Sequence, residues 1–461
     1  MNDVLVSYLY VISVVLFVLS LRWMSEVKTA QRGNWSAVAG LAIAIIGTLL
    51  AYYIQRVDLL VIGFVIGALI GSPIALRLPM TAVPQRTAMS HAFGSMAVAL
   101  IGAAEYYNRA PNIDVFTLSV LCAEMILGFL TFTGSIIAFA KLQGLIPGNP
   151  FIYPGRVYVS LSTLGIAIAL AVYFVANPGD SFILPIMAAF ALLFGFLLVM
   201  AIGGADMPTV IAILNAYAGL SAAGLGFVLD NKVLIVAGSL DGSSGFILAV
   251  IMSQAMNRSF LNVLFGGVGA KVSKTEEPKG GQAARQVTGF TAEDVATILD
   301  NARTVVFVPG YGMAVSQAQH VVKELADQLQ ARGIDVKYAI HPVAGRMPGH
   351  MNVLLAEAQV PYDQLWEMDK INPLFPETDV AIVVGANDVT NPAARTKADS
   401  PLFGMPILDV DKAKTVVFIK RSMNPGFSGM DNELFYLPNT MMVFGDAKKV
   451  LTDLLSAVKN S

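Results

Sequence analysis

Four ionisable residues interrupt long apolar stretches in the first half of the sequence, where charge is costly. His91, Glu124, Asp206 and Asp241 lie within or at the edge of such stretches. A charge at the centre of a bilayer costs at least about 2.5–3.5 kcal/mol, so residues of this kind commonly serve a transport pathway. An unperturbed imidazole changes charge near neutral pH. We therefore predict that His91 handles protons, the alternative being a neutral histidine that hydrogen-bonds between helices.

Two of the acidic residues have two interpretations each. Asp206 either caps the start of the following apolar stretch at the membrane surface or takes part in a proton relay. Asp241 lies beside Ser243 and Ser244, so it either joins a relay or only bonds these serines. The sequence alone leaves both questions open, and it leaves the role of Glu124 open as well.

A glycine turn in the second half has the pattern of a dinucleotide-binding loop. Gly310-Tyr311-Gly312 follows the β-rich run 304–309 and precedes a helical pattern that continues to about Arg332. Glycines at this spacing permit a tight turn and let a pyrophosphate approach backbone N–H groups at a helix N-terminus. The pattern by itself is weak, but its strand–turn–helix context strengthens it.

The charges around this turn favour NADP(H) over NAD(H). An NAD site places an acidic residue about 20 positions further on, to hold the ribose 2′-hydroxyl. Here the second β-rich run ends at His341-Pro342, without that acid. Lys420-Arg421 instead follows a later β-rich run, and a guanidinium suits a 2′-phosphate. The alternative for this basic pair is a solvated strand end.

No metal centre is predicted. His341 and His350 flank a glycine-rich loop, but no cysteine or acidic cluster accompanies them, so we interpret both as loop residues. The single cysteine, Cys122, lies in an apolar stretch, and one cysteine cannot form an intrachain disulfide.

Composition separates the chain into two halves that must position these residues. Charged residues make up 13% of the 461 residues, whereas a soluble protein has about 25%. The mean hydropathy is +0.65. Residues 1–260 hold 11 Lys/Arg and 10 Asp/Glu, and the other 201 residues hold the remaining 41 charges. These values exclude a disordered chain, a basic nucleic-acid-binding protein and an ordinary cytosolic enzyme.

The first half predicts an all-α bundle of about nine membrane spans. Each apolar stretch is close to the roughly 20 residues that a bilayer requires. Placing alternate loops on one face gives that face eight Lys/Arg and the other three. The positive-inside rule then places the C-terminal half on the cytoplasmic side. We expect residues 1–260 to form the membrane domain and 261–290, which are rich in Gly, Lys and Glu, to form a linker.

The second half predicts a soluble α/β domain at 291–461. Five short β-rich runs alternate with helical patterns, which is typical of a parallel, Rossmann-like sheet of the doubly wound type. The runs are 304–309, 335–340, 380–385, 415–420 and 441–444. Thr291 and Asp294 are spaced as a capping box that starts the first helix.

These motifs together resemble the β subunit of proton-translocating NAD(P) transhydrogenases, over essentially the whole chain. The resemblance rests on His91, Asp206 in Gly-Ala-Asp-Met-Pro, the 310–312 turn, the 385–388 run and Lys420-Arg-Ser. Its most specific part is the run HPVAGRMPGHMNVLLAEA at 341–358. The resemblance implies a proton-conducting membrane domain and a soluble NADP(H)-binding domain. It also implies a separate α subunit that binds NAD(H), an assembly of two α and two β subunits, and no nucleic-acid partner.

The resemblance also assigns residues to each site. His91 and Asn215 match proton-path positions, Ser135 and Asp206 support them, and Asp388 matches the acidic residue whose protonation is thought to couple the domains. The residues that match the NADP(H) site are Tyr311, Val343, Ala344, Gly345, Arg346, Met347, Pro348, Gly385, Ala386, Asn387, Asp388, Val389, Gly404, Met405, Lys420, Arg421, Ser422, Met423, Asn424, Pro425, Gly426, Phe427, Asp446 and Ala447. In this family the dinucleotide lies reversed relative to an ordinary Rossmann domain, which agrees with the absent acid on the second strand.

The expected function is hydride transfer between NAD(H) and NADP(H), coupled to proton movement across a bacterial inner membrane. The main alternative is a secondary transporter or channel gated by a nucleotide-binding domain. That alternative predicts paired broken helices, and no internal repeat of this kind is evident. A membrane-anchored oxidoreductase would not need ionisable residues such as His91 within its spans.

Overall fold

The structure is a computed structural model. It describes residues 2–25, 29–51, 56–110, 112–257, 259–260, 287–398, 400, 402–426 and 428–461. The chain divides into two compact units, and each is described by itself. Residues 261–286 lie outside the described residues, so the linker and the domain boundaries stay predictions.

Long apolar helices make up the described N-terminal part. Nine of them are long and apolar enough to cross a membrane, as the hydropathy of the sequence predicted. They are α1 (Asn2–Met24), α2 (Ala30–Ala51), α3 (Val57–Arg77), α4 (Val83–Arg109), α5 (Val115–Gln143), α6 (Arg156–Ala176), α7 (Ile183–Met200), α8 (Met207–Val228) and α9 (Lys232–Ala255). The chain is therefore a multi-pass membrane protein.

Glycines let the central helices approach one another closely. A methyl group on Gly219 of α8 would lie 2.2 Å from the backbone nitrogen of Gly242 in α9. A methyl group on Gly195 of α7 would lie 2.1 Å from the carbonyl oxygen of Leu130 in α5. Small residues at such contacts are how membrane helices pack without a hydrophobic driving force. Gly219 therefore serves the packing of α8 on α9.

The soluble part is a six-stranded parallel sheet with helices packed against it. The strands are β1 (Thr304–Pro309), β2 (Asp335–Ile340), β3 (Leu365–Glu367), β4 (Val380–Val384), β5 (Thr415–Lys420) and β6 (Thr440–Phe444). The helices are α10 (Ala292–Leu299), α11 (Tyr311–Val315), α12 (Gln319–Ala331), α13 (His350–Glu357), α14 (Met368–Ile371), α15 (Ala393–Thr396) and α16 (Ala447–Asn460). Buried side chains form apolar clusters around Val305 and Phe307 and around Val306 and Val308, as expected for a strand with two covered faces.

The strand order explains where a ligand can bind. The order is β3-β2-β1-β4-β5-β6, so β1 pairs with β2 on one side and with β4 on the other. From β1 the chain adds β2 and β3 on one side of the sheet, and it then adds β4, β5 and β6 on the other side. The strand order therefore reverses between β1 and β4. Open α/β sheets bind ligands in the crevice outside the carboxyl ends of the strands at such a point.

The sequence predicted most of these elements, with two differences. The three-residue β3 was not predicted, because it pairs with β2 through only Leu365–Glu367. The single helix expected after Gly312 is in fact two helices, α11 and α12. Gln317 between them has a left-handed φ of 51°, which no hydrophobic pattern reveals. The Thr291–Asp294 capping box is confirmed.

Candidate functional site

The glycine turn after β1 packs directly on the turn after β4. The N–H of Gly310 donates to the carbonyl of Val384 at 2.9 Å, and the N–H of Gly312 donates to the carbonyl of Gly385 at 2.9 Å. A methyl group on Gly310 would lie 2.4 Å from the backbone of Ala386. These glycines therefore bring the two turns together, and both of their N–H groups are used within the protein. Gly385 itself has a φ of 70°, which favours glycine.

The loop after β2 contacts the same turn through a cation and an aromatic ring. The Arg346 guanidinium carbon lies 4.1 Å from the centre of the Tyr311 ring. Burial lowers the pKa of Arg346 and raises that of Tyr311. The backbone N–H of Arg346 donates to Nδ1 of buried His350 at 3.0 Å. The predicted residues Tyr311 and Arg346 are thus brought together, and His350 holds the loop that presents Arg346.

His341 connects two segments that the resemblance assigns to the nucleotide site. Its Nδ1 accepts the N–H of Val343 at 3.2 Å, and its Nε2 lies 2.8 Å from the carbonyl oxygen of Pro406. Because Nδ1 is an acceptor, the ring is neutral and its Nε2–H donates to Pro406. Burial lowers the pKa of His341 to about 4, which agrees with this protonation state. The interpretation of His341 and His350 as plain loop residues missed these roles.

The chain after β5 is held against Asn387 and Asp388. One carboxylate oxygen of Asp388 accepts the Ser428 N–H at 2.9 Å, and the other accepts the Ser428 hydroxyl at 2.8 Å. A methyl group on Gly426 would lie 2.5 Å from Asp388 Oδ1. The side-chain nitrogen of Asn432, Nδ2, donates to Asn387 Oδ1 at 2.9 Å. Ser428 and Asn432 were not predicted, since the bonds that they make span 40 to 45 residues of sequence.

The basic pair lies at the carboxyl end of β5. Lys420 donates to the carbonyl of Asn424, and its ammonium lies 5.6 Å from the centre of the Phe435 ring. Burial lowers the pKa of Lys420, while the charges of Asp388 and Asp431 raise it. Arg421 is exposed. This pair adds positive charge next to the Asn387–Asp388 turn.

Several other predicted residues support the site through packing. Val389 and Met405 lie in one apolar cluster, and the N–H of Leu408 donates to the carbonyl of Val389. Ala344 and Ala447 belong to the apolar core. Asp446 caps α16 by accepting N–H groups of Lys448 and Lys449. Exposed or half-buried loop positions are occupied by Val343, Gly345, Pro348, Gly404, Ser422, Met423, Asn424 and Pro425, while Met347 is buried and Phe427 lies outside the described residues.

In the membrane bundle, a polar row crosses three helices. The His91 ring of α4 lies beside the side-chain amide of Asn215 in α8. That amide donates to Asp241 Oδ1 of α9 at 3.2 Å. Ser244 instead donates to the backbone carbonyl of Asp241. Of the two interpretations of Asp241, the structure places its carboxylate on Asn215 and not on the serines, so the row His91–Asn215–Asp241 is continuous.

Two further predicted positions lie on α5 and before α8. Ser135 of α5 is fully buried, and its hydroxyl meets no hydrogen-bond partner among the described residues. Its neighbour Gly134 packs on Leu214, which precedes Asn215 in α8. Asp206 ends a short 3-10 turn, Gly204–Asp206, immediately before α8. The roles of Ser135 and Asp206 stay predictions.

Comparison with known proteins decides the family. Residues 6–457 match the family described as NAD(P) transhydrogenase beta subunit. The chain belongs to this family. Two relatives from Rhodospirillum rubrum, both named NAD(P) transhydrogenase subunit beta and one assigned to a named strain, are each 49% identical over 457 residues. The matches cover 97% of this chain and 98% of those relatives.

Membership gives the site a chemical context. The family name implies NAD(H) and NADP(H) as the reacting dinucleotides, and a β subunit implies a partner α subunit. The resemblance stated from the sequence is thereby confirmed at the level of the family. It does not by itself assign single residues, so the roles of the site residues belong to the proposal below.

Proposed function

We propose that this chain is the NADP(H)-binding and proton-conducting subunit of a proton-translocating transhydrogenase. Its substrates are NADPH or NADP⁺ on this chain and NAD⁺ or NADH on an α subunit. The observation that supports this most is the row His91–Asn215–Asp241, because it places ionisable and amide groups across three spans of a chain that also has a nucleotide-type sheet. Membrane lipid surrounds the spans, and two α and two β subunits assemble in a bacterial inner membrane, with the sheet domain in the cytoplasm.

The residues that follow the carboxyl ends of β1 and β4 and of the neighbouring strands fit a phosphorylated dinucleotide. The side-chain nitrogen of Asn387 is buried and has no acceptor among the described residues, so it offers a donor to a ligand oxygen. Arg346 and Lys420 place two cations at the same side of the sheet, where the strands have their carboxyl ends. The exposed Arg421 guanidinium has the planar donor geometry that a 2′-phosphate accepts.

In the reaction, the nicotinamide rings supply the hydride chemistry. This chain binds and orients NADP(H) through the loops after β2, β4 and β5. Ser428 and Gly426 hold the chain after β5 over the Asn387–Asp388 turn, which excludes water from that side. A hydride transfer at the sheet cannot directly move a proton in the spans. Coupling therefore requires an element with two states that both NADP(H) redox state and His91 protonation bias.

A binding measurement tests the nucleotide assignment. Arg421→Ala is expected to weaken NADP(H) binding by about 1.5–3 kcal/mol, the contribution of hydrogen bonds to a charged group. Residual NAD(H) binding, which lacks the 2′-phosphate, should barely change. Lys370→Ala is a matched control, because Lys370 is an exposed cation that follows β3 at the far edge of the sheet. Equal loss of NADP(H) and NAD(H) binding in Arg421→Ala would contradict the assignment.

A further inference from the structure

Glu124 is a carboxyl group buried between three membrane helices. It belongs to α5 and is 1% exposed. A methyl group on Gly102 of α4 would come within 1.6 Å of Glu124 Oε1, and one on Gly224 of α8 would lie 2.9 Å from Glu124 Cβ. The carboxyl group therefore lies against the bare backbone of α4, in a space that both glycines leave for it.

No described residue satisfies this carboxyl group. Neither Oε1 nor Oε2 has a hydrogen-bond partner within the described ranges. The Ser221 hydroxyl of α8 donates to the backbone carbonyl of Glu124 at 2.8 Å, and it lies beside the carboxyl group. An ionised carboxylate without a partner in an apolar interior is very costly, while the neutral acid is far less so. The surroundings of Glu124 thus suit a carboxyl group that holds a proton.

Along the helices that carry the predicted proton path, Glu124 lies at a different depth from His91. We call the depth of His91, Asn215 and Ser135 the first layer and that of Glu124 the second layer. Gly102 follows His91 by 11 residues, and Ser135 follows Glu124 by 11 residues. At about 1.5 Å per residue, each interval spans about 16 Å. Gly224 follows Asn215 by 9 residues, or about 14 Å. All three helices thus give a similar distance between the two layers, which is about half of the roughly 30 Å hydrocarbon core.

Hydroxyl groups lie between the two layers. Ser95, one turn after His91 in α4, is buried, and its hydroxyl has no partner in the described part of the chain. A methyl group on Gly128, one turn after Glu124 in α5, would lie 2.9 Å from the Ser95 carbonyl oxygen and 3.1 Å from Ser221 Oγ. The Ser95 backbone and the Ser221 hydroxyl therefore both approach Gly128, at a level between His91 and Glu124.

We propose that Glu124 is a second proton-binding group of the membrane domain, in line with His91 through the level of Ser95 and Ser221. A proton that arrives converts the carboxylate to the neutral acid, and a proton that leaves regenerates the carboxylate, with no other bond changed. This inference rests on the proposed function, because it adds a protonation site to the same path. The protonation of the Glu124 carboxyl group can be measured without enzyme turnover.

The first experiment measures protonation directly. Infrared spectra of the full chain in detergent are expected to show the carbonyl stretch of a neutral carboxylic acid, and this band should disappear in Glu124→Gln. Glu105→Gln is the matched control, since Glu105 lies on α4 and pairs with Arg109. Absence of a band that depends on Glu124 would overturn the proposal, whatever the activity of the enzyme. Thermal unfolding of each variant confirms that it is folded.

The second experiment measures transport by the complete enzyme in lipid vesicles. Glu124→Gln should lower proton pumping at least about tenfold, Glu124→Asp should retain part of it, and Glu105→Gln should retain nearly all. NADP(H) binding should be equal in all four proteins. Pumping by Glu124→Gln at the unsubstituted rate would overturn the proposal. Failure of the unsubstituted enzyme to pump would instead contradict the proposed function, while the infrared band would still decide the protonation of Glu124.

Discussion

Asp388 and Asp379 in the sheet domain and Glu124 in the membrane bundle are carboxyl groups in opposite surroundings. In the sheet domain, Asp388 accepts two hydrogen bonds from Ser428. Asp379 directly precedes β4. Its carboxylate accepts hydrogen bonds from the N–H groups of Arg303 and Thr304 and from the ammonium of Lys414. In the membrane bundle, Glu124 has no partner for either oxygen among the described residues.

The difference has a physical meaning. Donors stabilise the charged form of a carboxylate, as the N–H groups of Arg303 and Thr304 and the Lys414 ammonium do for Asp379. A carboxyl group without donors can exist as a neutral acid, and a transported proton needs such groups. The sheet domain thus uses Asp379 and Asp388 to hold neighbouring segments of its chain in place. The bundle leaves His91, Ser95, Glu124 and Ser135 with polar atoms that no described protein group satisfies.

Among the described residues of the bundle, Lys141 is a buried cation with three acceptors, and its removal should have the largest effect on stability. Lys141 of α5 donates to the carbonyls of Val199, Met200 and Ile202 at 3.0, 2.9 and 2.7 Å. Lys141→Met leaves three carbonyls without their donor, and a buried acceptor left unsatisfied costs about 1–3 kcal/mol, so we expect a loss of about 3–5 kcal/mol in the free energy of unfolding. Thermal unfolding in detergent measures this.

Two matched variants sharpen that prediction. Lys141→Arg keeps a cation and should restore most of the stability. Glu124→Gln removes no protein hydrogen bond from the carboxyl group and should change the stability by less than about 1 kcal/mol. A large loss in Glu124→Gln together with a small loss in Lys141→Met would break the contrast between the two buried groups.

His341 makes the sheet domain sensitive to acid. In the folded protein its pKa is about 4, whereas an unfolded histidine has a pKa of about 6.5. The stability that the neutral ring contributes is therefore complete above about pH 6.5. It is lost as the pH falls towards 4, because only the unfolded state takes up the proton in this window. The loss should reach about 3 kcal/mol.

Hydrogen exchange of the β2 and β4 amides in the full chain, measured across this pH range, checks the prediction. In His341→Gln the pH dependence should largely disappear, while the bond to Pro406 can still be made by the amide. His320→Gln is the control, since His320 is exposed on α12. A slope that persists in His341→Gln would show that another group titrates.

Asp379 should have a smaller effect than Lys141 or His341. Its bond with Lys414, together with its backbone donors, lowers the pKa of Asp379 to about 2. The stabilisation from its charge is present above the unfolded pKa of about 3.9 and is lost as the pH falls towards 2. Because the side chain is partly exposed, we expect Asp379→Ala to cost about 1–2 kcal/mol at neutral pH, measured by denaturant unfolding. An unchanged midpoint would mean that the N–H groups of Arg303 and Thr304 are satisfied by water.

The sequence predicted the elements that depend on local pattern. In the described part of the chain, hydropathy located the nine spans, and β-rich runs located five of the six strands, since both signals lie within one segment. It did not predict that Asn215 binds Asp241, or that His341 reaches Pro406. These contacts join residues 26 and 65 positions apart, and no periodicity within a segment encodes them. The glycines of the 310–312 turn were found, but their contact with Gly385 required the order of the strands.

In the proposed function, His91 carries protons whose movement is coupled to hydride transfer at the NADP(H) site. Proton uptake into vesicles that contain the complete enzyme, recorded together with NADP⁺ reduction, measures this coupling most directly. For His91→Ala we expect loss of proton uptake with NADP(H) binding retained, and for His320→Ala we expect no change in either. Proton uptake by His91→Ala at the unsubstituted rate would contradict this role of His91.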